Sequence, residues 1–298
     1  MKTSSKIFFC ATLLSLVSCG DKHKGYDATG TFEATEIIVS SEANGKLMRF
    51  DVTEGQRLAA GQEIGYVDTV QLYLAKVQLE ESNRAILSNR PDIAKQIAAT
   101  REEIEKQKKE KVRFETLLAS NAANQKQVDD IDAYLKVLEK QLIAQTSTLQ
   151  NTTQNLSGQS AALLAQIAQL EDQLNKCRIV SPINGTVLTK YAQRGELATP
   201  GRALFKIADM ENVFLRAYLT SDQLSDVKIG QSVTLIADYG NDNVKEYSGA
   251  IIWISDKSEF TPKNIQTKNE RANLVYAVKI AVKNDGYIKI GMYGQVRL

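Results

Sequence analysis

The sequence predicts an α+β protein in which a long antiparallel α-helical coiled-coil hairpin is inserted between the two halves of one small β domain, with further β structure after it. Three observations predict this class. Sixteen of the 17 glycines and three of the four prolines lie outside residues 70–176. That stretch repeats apolar residues at coiled-coil spacing, and the segments on either side of it resemble each other. Helices exclude Gly and Pro, whereas short strands need them at their turns.

The composition excludes two broad classes of protein. With 298 residues, of which 43% are hydrophobic and 24% charged, the chain is neither disordered nor a single small domain. It has 37 basic and 35 acidic residues, and removal of residues 1–18 would take away Lys2 and Lys6 and leave a formally neutral protein. A neutral chain attracts polyanions weakly, so we expect protein partners and no nucleic acid.

The first 18 residues are typical of a secretory signal peptide. Two lysines precede the apolar run 7–17, which is too short to span a hydrocarbon core of roughly 30 Å. Residues 16–20, Leu-Val-Ser-Cys-Gly, resemble the bacterial lipobox, in which the cysteine is diacylated and becomes the mature N-terminus. Cys19 is therefore the predicted lipidation site and membrane anchor, and residues 19–30 are predicted to form a flexible tether. An ordinary signal peptide that ends in Cys is the alternative.

Residues 70–176 have the composition of long helices. Pro91 predicts a break, with a new helical segment starting at the proline and Asn89 or Arg90 near its cap. Residues 119–124 contain two asparagines and no apolar anchor, which favours a short turn between antiparallel arms. At 1.5 Å per residue each arm would be roughly 70 Å long. The polar residues at some of its heptad positions favour packing of the hairpin beside other copies of the chain. The second arm keeps a heptad pattern with polar residues in three slots: Val128, Ile131, Leu135, Leu138, Leu142, Gln145, Leu149, Thr152, Leu156, Gln159 and Leu163.

The flanks of this stretch, residues 31–69 and 177–207, are an internal repeat. Each has a short strand, a turn containing Gly and Glu, a second turn on Gly, and another short strand. Neither half has enough apolar residues for a core of its own, so the two must pack together. Their packing would bring Asp68 close to Cys177 and force residues 70–176 out as a hairpin.

Two lipoyl-like half-motifs separated by a coiled-coil hairpin resemble the HlyD-like periplasmic adaptor, or membrane fusion, proteins of bacterial efflux and type I secretion systems. Residues 207–219 are similar to the family's entry into a β-barrel domain, here 208–298. Residues 229–234 and 288–298 match that domain's paired G-Q-x-V and G-M-x-x-x-V patterns. Residues 259–271 look like the subgroup that accompanies ABC-type exporters.

The resemblance implies a periplasmic protein, held at the inner membrane of a Gram-negative bacterium, that acts in transmembrane transport. Its implied partners are an inner-membrane transporter, of the ABC permease and ATPase type, and a TolC-like outer-membrane channel. It also implies self-association into a hexamer. Two alternatives stay open: an adaptor of a proton-driven efflux pump, and a lipid-anchored structural coiled-coil protein without a transport partner.

The family's hairpin tip carries a motif that meets the outer-membrane channel, and this chain matches it in part. Arg113, Leu117 and Asp129 agree with the motif, whereas Asn124 and Val128 stand where it has Ser and Leu. Asn still offers a hydrogen-bond donor and acceptor, and Val is still a small knob. The resemblance therefore implies channel docking by these five residues. The alternative is that Arg113 is a solvated helix charge and Leu117 simply core.

No residue pattern indicates catalysis, a cofactor or a metal. His23 is the only histidine and lies in the tether, so the folded part lacks an imidazole base. Cys177 begins an apolar strand and is expected to be a buried small residue. The three aspartates within residues 129–132 point in three directions on a helix, which disfavours a cation site. Lys46 and Lys190 do not occupy the turn where lipoyl and biotinyl carriers place a modified lysine, so an enzyme subunit is rejected.

Overall fold

The computed structural model describes residues 25–240, 244–260 and 274–298, and its architecture is the α+β class with an inserted helical hairpin that the sequence predicts. The predicted signal peptide, Cys19 and most of the segment 259–271 fall outside the described residues. The elements in chain order are β1 (Ala28–Ser40), β2 (Gly45–Phe50), β3 (Arg57–Leu58), β4 (Glu63–Val67), α1 (Val70–Ser88), α2 (Ile93–Ala119), α3 (Gln125–Lys176), β5 (Arg178–Val180), β6 (Gly185–Lys190), β7 (Leu197–Ala198), β8 (Ala203–Thr220), α4 (Ser221–Leu224), β9 (Ser232–Asp238), β10 (Val244–Phe260), β11 (Leu274–Lys283) and β12 (Tyr293–Arg297).

A break around Pro91 divides the outgoing arm of the hairpin into α1 and α2. The expected helix start at the proline, with Asn89 or Arg90 near its cap, is wrong by two residues. Asp92 is the cap, because its carboxylate accepts the backbone N–H of Lys95 at 3.1 Å. Asn89 instead closes α1. The returning arm, α3, is one continuous helix of 52 residues.

The inward face of α3 changes phase halfway along the helix. In the second half Thr152 and Gln159, two of the expected heptad positions, are exposed, and Thr153 and Ser160 take the inward slots. A straight α-helix drifts by about 20° per heptad from a 3.5-residue repeat. Because the break at Pro91 interrupts the partner arm, the second half of α3 packs against a separate helix with its own phase.

The lipoyl-like domain is built by exchange between its two halves. β2 pairs with β7, β3 with β6 and β4 with β5, so the two-residue strand of each half completes a sheet of the other half. Equivalent positions in the two halves are 140 residues apart. Three pairs of glycines show this spacing: Gly45 and Gly185, Gly55 and Gly195, Gly61 and Gly201.

Both halves contribute to one apolar core at the base of the hairpin. Cys177 is fully buried in this core, and its carbonyl accepts the N–H of Val67 at 2.9 Å. Burial, with a smaller contribution from the charge of Asp68, raises the pKa of the Cys177 thiol. The expectation that this residue is a buried small side chain is confirmed. The core also contains Leu47, Phe50, Ile64, Val187, Leu204, Phe205 and Ile207.

The third unit is a closed six-stranded barrel with the strand order β1-β12-β9-β10-β11-β8, in which β8 returns to β1. Its interior is filled by side chains from every strand, including Phe32, Leu215, Leu235, Ile280 and Val296. The first half of β1 belongs to this barrel, and its second half continues into the lipoyl-like domain beside β8. These two long strands are therefore the connection between the two domains.

The expected boundaries of the tether and barrel, residues 19–30 and 208–298, need a correction. Strand β1 already begins at Ala28, so the tether ends earlier and the barrel includes an N-terminal strand. A Cβ at Gly30 would lie 2.0 Å from the carbonyl oxygen of Arg216, so the close approach of β1 and β8 requires glycine there. Within the described part of the chain, no helix combines the length and apolar character that a membrane crossing requires.

Candidate functional site

The outgoing arm ends at the hairpin tip in a tight turn around Asn121. The φ angle of Asn121 is 58°, in the left-handed region, and its N–H donates to the Leu118 carbonyl at 3.0 Å. The next N–H, of Ala122, donates to the Leu117 carbonyl at 2.8 Å. These bonds satisfy the last carbonyls of α2 in a Schellman motif. The expected short turn is confirmed, and the left-handed conformation of Asn121 closes it.

Asn124 begins the returning arm as the cap of α3. Its side chain accepts the N–H of Gln127 at 3.0 Å, and the Gln127 side chain accepts the N–H of Asn124 at 3.0 Å. This reciprocal capping box fixes the start of the helix. The Oδ1 atom of Asn124, expected to be offered to a channel, is therefore used within the tip. The spacing of Asn124 and Gln127 is the sequence signal that could have identified Gln127.

Arg113 and Leu117 lie on α2, near the tip, with different accessibility. The Arg113 side chain is 65% exposed, and its guanidinium is 3.5 Å from a Glu110 carboxylate oxygen. Because this ion pair is long and solvated, the guanidinium is available to an acidic or carbonyl partner. Leu117 is half-buried, so it can contribute to the hairpin interior and to a contact surface at once.

Val128 and Asp129 follow each other near the start of α3, and their side chains differ in exposure to solvent. The Val128 side chain is only 8% exposed and is turned into the hairpin, so in a single copy little of it is available to a channel. The physical reason is the phase of the helix pair, which places the heptad position of Val128 on the seam. Asp129 is exposed and accepts the Gln125 side-chain N–H at 2.9 Å.

Asp132 joins the two arms below the tip. Its carboxylate binds Lys111 of α2 at 2.5 Å and Lys136 of its own helix at 2.7 Å. Hydrogen bonds from Lys111 and then Lys136 lower the pKa of Asp132 from 3.8 to about 2, and the bond to Asp132 raises the pKa of Lys111. No periodicity in the sequence pairs Lys111 with Asp132, since the pair depends on the register between the arms.

The remaining residues with candidate chemistry lie in regular structure. Lys46 is in β2 and Lys190 is in β6, with its ammonium 5.3 Å from the centre of the Phe50 ring. Neither lysine stands at a turn between the domain halves. The arrangement at the tip holds two helix ends rigidly and presents Arg113 and Asp129 to solvent, which suits binding to another protein surface.

Comparison with known proteins agrees with this architecture. Residues 35–210, more than half of the chain, match the family model described as RND MFP, barrel-sandwich hybrid domain. The UPF0194 membrane protein YE2891 of Yersinia enterocolitica is 26% identical over 293 residues, which cover 90% of this chain and 88% of that protein. The UPF0194 membrane protein YbhG of Salmonella gallinarum is 27% identical over 291 residues, covering 90% and 87%.

Two solved structures share the fold. The membrane fusion protein Spr0693 of Streptococcus pneumoniae superimposes with a TM-score of 0.52 at 20% identity, covering 90% of this chain and 96% of that chain. MacA of Actinobacillus actinomycetemcomitans gives a TM-score of 0.54 at 19% identity, covering 90% and 76%. The HlyD-like resemblance is thus confirmed by a family model and by fold. With a matched domain over residues 35–210 and a helical hairpin inserted in it, the chain belongs to the membrane fusion protein family of periplasmic adaptors.

Proposed function

We propose that this membrane fusion protein is a lipid-anchored periplasmic adaptor that bridges an ABC-type inner-membrane exporter to a TolC-like outer-membrane channel. The observation that carries the proposal is the continuous α3 helix of 52 residues, which returns from a rigid, capped tip to the lipoyl-like domain. At 1.5 Å per residue this helix is about 78 Å long, so the tip stands far from the barrel.

The two ends of the molecule have different roles in this proposal. The barrel end carries the N-terminal tether with Cys19, which places that end at the inner membrane beside the exporter. The tip, with Arg113 exposed, points toward the outer membrane and the channel. Several copies, six by the family resemblance, would line the path, and the exported compound would pass without chemical change.

A substitution at the tip tests the channel contact. We expect Arg113→Ala to abolish export and crosslinking to the channel without changing the melting temperature, because the Arg113 side chain is 65% exposed. Arg84→Ala is the matched control, since Arg84 also pairs with a glutamate three residues earlier and is 75% exposed, but lies on α1 far from the tip. Equal export by the wild type and Arg113→Ala, with channel crosslinking intact, would contradict the docking role.

A second candidate is an adaptor of a proton-driven pump, and the RND label of the matching family model favours it. RND exporters draw on the proton gradient, whereas ABC exporters hydrolyse ATP. Export that continues when an ionophore collapses the proton gradient, and stops when vanadate blocks ATP hydrolysis, supports the ABC partner. The reverse pattern supports the RND partner. The adaptor itself is expected to be needed in both cases, and a deletion that leaves export unchanged would contradict both.

A further inference from the structure

One end of the barrel collects strand ends that have no domain beyond them among the described residues. The start of β1 lies beside the end of β12, the end of β8 beside the start of β11, and the start of β11 beside the end of β10. The loop before β9 reaches the same end, because β9 begins beside the end of β12. At the opposite end, β1 and β8 continue into the lipoyl-like domain.

Large apolar side chains project at this end, which we call the open barrel end and define by Tyr26, Ile229, Phe260 and Leu274. Their exposed fractions are 40%, 68%, 84% and 51%, respectively. Single exposed apolar residues are common on protein surfaces, but a group that converges on one end of a domain marks a contact surface. The four residues come from three separate loops or strand ends and from the N-terminal segment.

The N-terminal chain leaves the barrel at the same place. Gly25, the first described residue, is six positions after Cys19, and six extended residues reach at most about 20 Å. The contact inferred below rests on the lipid anchor of the proposed function. With Cys19 held in the membrane, the open barrel end cannot move more than that short distance from the bilayer surface.

We propose that the open barrel end rests on the lipid bilayer, with Phe260, Ile229 and Leu274 in its interfacial layer. The anchor holds the barrel close to the bilayer and so raises the effective concentration of the two surfaces. Even a weak affinity for lipid then keeps the barrel in contact with the membrane. Phe260 and Tyr26 are aromatic, and aromatic side chains favour the boundary between hydrocarbon and water. The contact orients the barrel, and through β1 and β8 the hairpin, away from the membrane.

The charges at the open barrel end determine which lipids matter. Asp222 in α4 and Asp226 after it are exposed there, close to Lys228. The sequence of residues 261–273, which joins Phe260 to Leu274, adds three basic residues and one acidic residue. Anionic headgroups would therefore add electrostatic attraction to the apolar contact. Zwitterionic phosphatidylcholine vesicles, without any anionic lipid, test the apolar insertion alone, and we expect the contact there.

The test uses the full-length lipidated protein in phosphatidylcholine vesicles. An environment-sensitive fluorophore is attached to the cysteine of the Phe260→Cys variant. Tyr293→Cys is the matched control. Tyr293 is also an exposed aromatic residue, at 54%, but it begins β12 at the opposite end of the barrel. Cys177 is fully buried and does not compete for the label. We expect emission from position 260 to shift to shorter wavelength and to be quenched by spin-labelled lipids, and emission from position 293 to do neither.

Vesicle flotation separates the two proposals. If the protein floats with vesicles and the label at position 260 stays as hydrated as the label at position 293, the membrane contact is overturned and the anchor stands. Failure to float overturns the anchor and the contact, while the Arg113 test of channel docking is unaffected. If position 260 is shielded in cell envelopes but not in vesicles, a protein covers this end and the bilayer contact is overturned. A fluorophore at Ile229→Cys should lose its quenching when Phe260 and Leu274 are both changed to Asp.

Discussion

The two halves of the hairpin are held together by different forces. In the tip half, α2 packs against the first half of α3, and Ile104, Leu135 and Leu138 form a small buried apolar cluster. In the base half, α1 packs against the second half of α3, and α1 contributes no buried residue. There the second half of α3 buries one large apolar side chain, that of Ile167, beside polar pairs such as Ser160 with Asn83 at 2.7 Å.

The apolar cluster makes the tip half the more stable part of a single hairpin. Burial of apolar side chains stabilises the tip half in a single copy, by roughly 1.5–3 kcal/mol for each large residue. Hydrogen bonds and exposed ion pairs, such as Lys76 with Glu171 at 2.7 Å, contribute much less. The tip half is therefore stabilised more by its own apolar core, whereas the base half buries fewer large apolar side chains of its own.

The outer face of α1 supports the proposed self-association. Val70, Tyr73 and Leu74 lie on the side of α1 away from α3 and are 55%, 59% and 54% exposed. A helix that is apolar on two opposite faces is normally covered on both. The corresponding outer face of α3 carries the small side chains Ala161 and Ala165, which a neighbouring hairpin could approach closely.

The largest expected effect comes from removing the apolar cluster of the tip half. Leu135→Ala should lower the free energy of unfolding of the hairpin by about 2–3 kcal/mol, because the side chain is 6% exposed and its removal leaves a cavity. Thermal melting followed by helical circular dichroism measures the loss. Leu164→Ala, at a 52% exposed position of the base half, is the control and should change stability little. Equal losses would show that the buried cluster does not stabilise the tip half.

A charge placed on the seam near the tip should have the next largest effect. Val128→Asp is expected to cost about 1–3 kcal/mol, because a carboxylate at an 8% exposed position loses hydration without gaining a partner. Val112→Asp provides the control, since Val112 is 62% exposed on α2. Urea titration of both variants distinguishes the positions. Unchanged stability of Val128→Asp would show that this residue is not part of the hairpin core and would favour the channel-docking role that the resemblance implies.

Signals that are local in the chain made most of the fold predictable. The shortage of Gly and Pro located the hairpin, the asparagines located its turn, and the repeated Gly turns identified the two lipoyl-like halves. Strand β1 was missed at Ala28 because a short segment with Gly30 looks like a tether when viewed alone. Its partner Val296 lies at the other end of the chain, and only the closed barrel brings the two together.

The candidate site was less predictable, because its geometry depends on the register between two helices. A heptad pattern identifies the inward stripe of α3 but does not determine its phase against a broken partner arm, which moved two inward slots to Thr153 and Ser160. The same register turns Val128 inward and brings Lys111 to Asp132. The spacing within one helix contains no information about such a pair.

A smaller effect is expected from the polar pair in the base half. Ser160→Ala should cost about 1 kcal/mol, because it leaves the partly buried Asn83 side-chain oxygen without its donor. Hydrogen exchange should report faster opening of α1 with α2 unchanged. Ser147→Ala, at an exposed position of α3, is the control. If α2 opens as much as α1, the hairpin unfolds as one unit and the comparison of halves fails.

The smallest effect concerns the ion pair that joins the arms below the tip. The pKa of Asp132 is lowered in the folded protein, from 3.8 to about 2, because Lys111 and Lys136 donate to its carboxylate. A lowered carboxyl pKa stabilises the folded state above the unfolded value, and this contribution is lost as the pH falls from 3.8 through about 2.

Asp132→Asn should therefore flatten the acid dependence of the hairpin's melting temperature within that window and lower the melting temperature slightly at neutral pH. Asp129→Asn is the matched control, because the Asp129 carboxylate accepts a hydrogen bond from Gln125 of its own helix and does not join the arms. Salt should weaken the effect of Asp132→Asn, since both lysines are partly exposed. If the melting temperature of Asp132→Asn depends on pH in the same way as that of the wild type, apolar packing alone sets the stability of the tip half.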